Sequence, residues 1–137
     1  MSSSADTTLY LVRPESLDQA WPLAEPWIAK ALRRSDCVST DACRGFIAEG
    51  KWHLFVAMGE GCEAVCVAEM QQYPLRKVLS IYVCTGKDHA RWVKHLDQIE
   101  AWAREQGCSR VVAFARKGWA KLLPKYHSTH IILELDL

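Results

Sequence analysis

The chain has 137 residues, half of them hydrophobic and 24% charged, with a formal net charge of +1. That length fits one domain able to bury about two-thirds of its unfolded surface, and a balanced charge with no basic run excludes a phosphate-tracking nucleic-acid surface. No stretch reaches the roughly 18 apolar residues of a membrane span, and residues 1–6 lack the basic start and apolar core of a secretion signal, so the expected compartment is the cytoplasm.

Residues 8–13 alternate and are β-rich, which reads as a first strand behind a Ser-rich lead, residues 1–7, expected to be disordered. Leu17, Ala20 and Trp21 then form one short helical face. Pro22 and Pro26 punctuate the pattern, and Trp27, Ile28, Ala31 and Leu32 continue as a second short helix with Pro26 near its first position. Ser39, Thr40 and Asp41 suit the cap of a third short helix over residues 42–48, with Phe46 and Ile47 inward and Gly50 as its stop. Residues 52–57 read as a strand and 58–61 as a hairpin turn. Residues 62–70 form the antiparallel mate, with Ala64, Cys66 and Ala68 on one face and Val65, Val67 and Glu69 on the other.

Residues 78–84 are β-branched and aromatic, the composition of a strand. Thr85, Gly86, Lys87 and Asp88 end it, and Asp88 is the expected N-cap of the next helix. In that helix Trp92, Leu96, Ile99 and Ala103 fall at i, i+4, i+7 and i+11, one apolar stripe flanked by Val93 and Trp102. Gly107 suits a left-handed stop, and residues 109–115 read as the next strand, so the unit is βαβ and its two strands are expected to be parallel. Gly118 and Trp119 open a short helix through Leu122 and Leu123 that Pro124 ends. Residues 131–137 read as a closing strand.

The six cysteines, at 37, 43, 62, 66, 84 and 108, include no CxxC pair and no Cys/His spacing of a zinc site. They read as reduced, mostly buried thiols, with no metal centre expected. Neither Gly50-Lys51 nor Gly86-Lys87 has the surroundings of a Walker-type phosphate loop.

This succession of elements resembles the GCN5-related N-acetyltransferase (GNAT) fold over nearly the whole chain. The expected class is therefore α/β (α+β), a single domain over residues 1–137 with a mixed twisted sheet of about six strands flanked by helices. The ending is the most specific part. Ala101, Trp102, Ala103, Arg104, Glu105, Gln106, Gly107 and Cys108, a strand, then Ala115, Arg116, Lys117, Gly118, Trp119 and Tyr126 resemble the compact GNAT-like proteins of tailed phages and prophages, which serve as acyltransferases or as internal-virion and assembly proteins.

The resemblance implies acetyl-CoA as cofactor, with its pyrophosphate on a loop of pattern Q/R-x-x-G-x-G/A. In that frame the chain reads Thr85, Gly86, Lys87, Asp88, His89, Ala90. Ala90 conforms, Thr85 replaces the Gln or Arg, and Asp88 replaces a glycine, where a carboxylate opposes an anion by about 1 kcal/mol. Lys87, His89 and Arg91 offset that charge, and Gly86 leaves the backbone freedom. The implied cofactor-binding residues are Tyr82, Val83, Gly86, Lys87, His89, Ala90, Arg91, Arg116 and Trp119.

Acyl transfer to an amine needs a base for the acceptor ammonium and an acid for the departing thiolate. Glu69 is the implied base. With Tyr126 as the closing aromatic, the family's tyrosine acid falls at Lys121, which leaves the acid unassigned. His53 reads as a strand wall residue and His127 and His130 as surface turn residues. The implied acceptor is a small-molecule or peptide amine. The alternative class is a non-catalytic GNAT-like phage protein that acts in virion assembly or binds a host factor. A terminal strand and an exposed hairpin would also permit a homodimer through sheet edges.

Overall fold

The computed structural model describes residues 6–115 and 118–137. The strands are β1 (Thr8–Val12), β2 (Trp52–Gly59), β3 (Gly61–Gln72), β4 (Lys77–Gly86) and β5 (Arg110–Ala113). They form one sheet in that spatial order, antiparallel from β1 to β4 and parallel between β4 and β5. The helices are α1 (Leu17–Leu32), α2 (Thr40–Ala48), α3 (His89–Trp92), α4 (His95–Glu105) and α5 (Trp119–Leu122).

Strand alternation sorts the core into two layers. Leu54, Val56, Val65, Val67 and Val83 face α1 and α2, where Leu17, Trp21, Ala24, Ile28, Cys43 and Ile47 meet them. Phe55, Cys66, Ala68, Leu79 and Ile81 face the other way, against Leu96, Ile99 and Ala103 of α4. The helical stripe read from the sequence is the buried one, from Trp92 at 5% exposed to Ala103 at 1%.

Several elements differ from expectation. The two short N-terminal helices are one 16-residue helix with Pro22 and Pro26 inside it. Each proline removes a helical hydrogen bond, but both are exposed, four residues apart, while Leu17, Trp21, Ala24 and Ile28 are buried on the inner face. Water can satisfy the freed carbonyls on the outside, and inner-face burial, at roughly 1.5–3 kcal/mol per large apolar side chain, offsets the proline cost.

Asp88 does not cap. It takes a left-handed conformation at φ 44° and makes no side-chain cap bond. The helix it was expected to start is divided into α3 and α4 by the tighter turn at Val93 and Lys94, where the Leu96 amide reaches back to Val93.

The sheet has five strands among the described residues, because residues 131–137 join no ladder. Ile131, Leu133, Leu135 and Leu137 are each at least 80% exposed. Alternation there marks a strand-competent sequence without a ladder partner among the described residues. At the other end Thr7 is buried, donating to the Arg91 carbonyl at 3.0 Å and meeting His95 Nε2 at 2.6 Å, so order begins before β1.

Among the described residues no helix is long and apolar enough to cross a membrane, and no group of three metal-ligating side chains gathers.

Candidate functional site

β4 and β5 pair only from Val78 opposite Arg110 to Ile81 opposite Ala113, with a last bond from the Phe114 amide to the Ile81 carbonyl. β4 then runs on to Gly86 without that neighbour. The parting opens a cleft lined by Ile81, Tyr82, Cys84, Ala113, Phe114 and, from the α4 side, Leu96, Trp119, Leu123 and Tyr126. The cleft thus crosses the sheet, and a cavity of about 40 Å³ lies inside it.

Two irregularities in the ladders aim polar side chains at this region. Along β3–β4, Val67 pairs with Val83 but Ala68 pairs with Ile81, so Tyr82 is an extra residue. Along β2–β3, Ala57 pairs with Ala64 and Met58 with Cys62, so Glu63 is extra too. Bulges of this kind twist a strand locally and re-aim a side chain.

The Tyr82 bulge turns its ring onto the α1–α2 face. Its hydroxyl donates to Glu69 Oε1 at 2.6 Å, and its ring packs on Trp52 at 4.9 Å and Phe114 at 5.6 Å, with Phe46 behind Trp52. Glu69 stands opposite Trp52 on one side and Ser80 on the other. Burial first, and the Glu69 carboxylate second, hold the Tyr82 phenol well above the usual tyrosine range, so it stays a donor to Glu69. The result is a half-buried carboxylate, fixed by a phenol and framed by aromatic rings, at one mouth of the cleft.

At the other mouth the loop after β4 is tied down. The Lys87 amide donates to the Glu63 carbonyl at 3.0 Å and the Arg91 amide to the Asp88 carbonyl at 2.9 Å. Glu63, 1% exposed, takes Arg91 in a two-pronged pair, Nε to Oε1 at 2.6 Å and Nη2 to Oε2 at 2.9 Å, and accepts the Glu60 amide at 3.0 Å. The Arg91 hydrogen bonds hold the Glu63 carboxyl below the usual carboxylate range, against its burial. Gly86 is sterically required, since a Cβ there would lie 2.4 Å from Ala64 Cβ and 2.5 Å from the Glu63 carbonyl.

The side chains of the expected cofactor-binding set therefore divide. Tyr82 and Trp119 line the cleft. Val83 is buried beneath α1 and α2, which leaves only its main chain for a ligand. Lys87 and Ala90 are exposed, His89 stands edge-on to Trp92 at 5.9 Å, and Arg91 is engaged by Glu63. Arg116 lies outside the described residues. His53 packs on Trp102 on the face opposite Glu69, where burial lowers its pKa, and His127 and His130 are exposed.

Sequence reasoning missed Glu63, Phe114, Cys84 and the placement of Tyr126. Tyr126 lines the cleft and donates to Glu100 Oε2 at 2.8 Å. Burial, then that carboxylate, push its phenol far up, which makes it a poor proton donor to a thiolate. The signal for Glu63 was a carboxylate next to the apolar run from Ala64 to Ala68. The bulge that buries it left no mark on the periodicity.

No family model matches the sequence, and no curated protein does. Solved structures match across the chain. An aminoglycoside acetyltransferase from an uncultured soil metagenomic sample, in complex with sisomicin, superposes at a TM-score of 0.74 with 11% identity, covering 99% of each chain. The fold is the GNAT fold. A predicted acetyltransferase with acetyl-CoA from Clostridium acetobutylicum gives 0.68 and 12% identity over 95% of this chain and 96% of that one. A ribosomal-protein-alanine N-acetyltransferase from Brucella melitensis biovar Abortus 2308 gives 0.68 and 13% over 96% and 98%. At these identities the likeness speaks for the GNAT fold and leaves activity to the site's own chemistry.

Proposed function

We propose that this chain is an acetyl-CoA-dependent N-acetyltransferase acting on a small-molecule or peptide amine. The observation that carries the reading is the cleft through the sheet between β4 and β5, with the Glu69–Tyr82 pair on its α1–α2 side. The walls suit the cofactor: Ile81, Ala113, Trp119 and Leu123 are apolar surfaces for an extended arm. Lys87 and the amide-bearing first turn at His89 and Ala90 stand where β4 ends, a favourable setting for phosphate. When bound, acetyl-CoA supplies the acetyl group as a reactive thioester.

Glu69 is the base. Held by the Tyr82 hydroxyl, it takes a proton from the acceptor ammonium, directly or through one water, and so frees the nitrogen lone pair. Trp52, Tyr82 and Phe114 frame it with aromatic faces that favour a cation. Tyr82 positions the carboxylate and is not the acid. No side chain is assigned as acid, and a CoA thiolate can take its proton from water.

A second reading is a non-catalytic GNAT-like protein of tailed-phage type, working in the host cytoplasm or within the virion through contact with a phage structural protein, a host factor or a second copy. The observation favouring it is the apolar segment from Ile131 to Leu137, exposed and outside the sheet.

The test is thiol release from acetyl-CoA in the presence of a panel of primary amines and N-terminal peptides. Amine-dependent release that Glu69→Gln reduces about 100-fold or more is the expected result. No release with any amine, from a protein that is folded, removes the catalytic reading.

A further inference from the structure

Cys66 on β3 and Cys84 on β4 are direct register partners, both turned to the α4 side of the sheet. Directly opposed residues in an antiparallel pair have Cα atoms about 4.5–5.5 Å apart, inside the roughly 4.4–6.8 Å range of disulfides. Their Cβ atoms, about 4.5–5.5 Å apart in such a pair, need only a small approach to the ~3.8 Å a disulfide prefers. The neighbouring Cys84 thiol, ahead of burial, holds the Cys66 thiol well above its ordinary range.

Their accessibility is unequal. Cys66 is 4% exposed. Cys84 is half-buried and forms part of the wall of the β4–β5 cleft and of a smaller cavity beneath Trp92 and Leu96. Cys66 also lines that smaller cavity, but Cys84 alone of the two stands on the wall of the β4–β5 cleft. That is the arrangement of an attacking and a resolving cysteine.

We propose that Cys66 and Cys84 form a reversible thiol–disulfide site that takes low-molecular-weight disulfides through the cleft. The Cys84 thiolate attacks one sulfur of the small disulfide, whose S–S bond breaks and releases one thiolate, leaving a mixed disulfide on Cys84. The Cys66 thiol gives its proton to the departing thiolate or to solvent. Its sulfur then attacks Cys84 Sγ and expels the second small thiol. Two electrons pass from the protein pair to the small disulfide, which leaves as two thiols. In the resting state Cys66 is thus the less readily ionised of a directly opposed pair, beside Cys84 and buried.

The site does not depend on the acetyltransferase reading, and its test does not use acetyl-CoA. The folded full-length protein is incubated with glutathione disulfide, free thiols are alkylated, and peptides are read by mass spectrometry. Cys37, exposed beyond α1, serves as the internal gauge of reaction time. The expected product is a Cys66–Cys84 cross-link reversed by dithiothreitol, with Cys66→Ser instead accumulating glutathione on Cys84 and Cys84→Ser leaving Cys66 unmodified. Two results overturn the proposal: Cys66 and Cys84 both remaining alkylatable after Cys37 has reacted, or wild-type Cys84 holding glutathione while Cys66 stays free. The wild type and Cys84→Ser decide the matter if Cys66→Ser fails to fold.

Discussion

Arg91 grips Glu63 through two hydrogen bonds, 2.6 and 2.9 Å long, across the junction of β3 and α3. The pair fixes the loop after β4 from below, so Lys87 is the loop cation that faces solvent. Its pH signature follows from Glu63, whose folded pKa lies below its ordinary value of 4.5. A depressed carboxylate contributes stability that is complete above about pH 4.5 and is lost as pH falls through the folded pKa. Glu63→Gln is expected to lower the melting temperature at pH 7 and to lose less stability than wild type between about pH 5 and pH 3, read by thermal unfolding across that range. Parallel wild-type and variant curves would show that the pair does not set acid stability.

Tyr82→Phe removes the donor to Glu69 and keeps the ring between Trp52 and Phe114. Stability is expected to fall by only about 1 kcal/mol, since the pair is partly solvated. In the proposed reaction the rate should fall roughly 10-fold at saturating substrate, because the base loses its orientation. Tyr126→Phe should leave the rate within about 3-fold of wild type, as a phenol of such weak acidity is a poor acid. Steady-state kinetics on the two variants separate the roles.

Asp88 is left-handed at φ 44°, a conformation glycine adopts without strain. Asp88→Gly removes about 1 kcal/mol of backbone strain but adds a similar conformational entropy to the unfolded chain. Folding stability should therefore change little while acetyl-CoA affinity rises, because a carboxylate near the phosphates is gone. Chemical denaturation and calorimetry on one preparation give both numbers.

Gly86→Ala places a methyl 2.4 Å from Ala64 Cβ and 2.5 Å from a main-chain oxygen. Neither neighbour can swing away. The substitution should cost about 2 kcal/mol or more in urea unfolding, even before any effect on a ligand.

Much of this was legible where the structure follows a regular period. Trp92, Leu96, Ile99 and Ala103 are spaced by helix geometry itself, and Gly107 takes the positive φ of 90° its place after α4 demands. The parallel β4–β5 pair followed from the helix between them. Glu63 and Tyr82 were illegible in orientation because each is the extra residue of a bulge, and a bulge inverts the facing that alternation implies. The Thr7–His95 contact spans 88 residues and joins a lead expected to be loose to a helix. Pro22 and Pro26 read as breaks because sequence alone does not reveal that both fall on the wet side of a well-buried helix.

Binding of acetyl-CoA in the cleft decides the proposed function most directly. Isothermal titration calorimetry of the folded protein should show saturable binding with a dissociation constant below about 1 mM, weakened by Lys87→Ala and strengthened by Asp88→Gly. No detectable binding at millimolar acetyl-CoA would contradict the proposed function and leave the GNAT fold here as a scaffold.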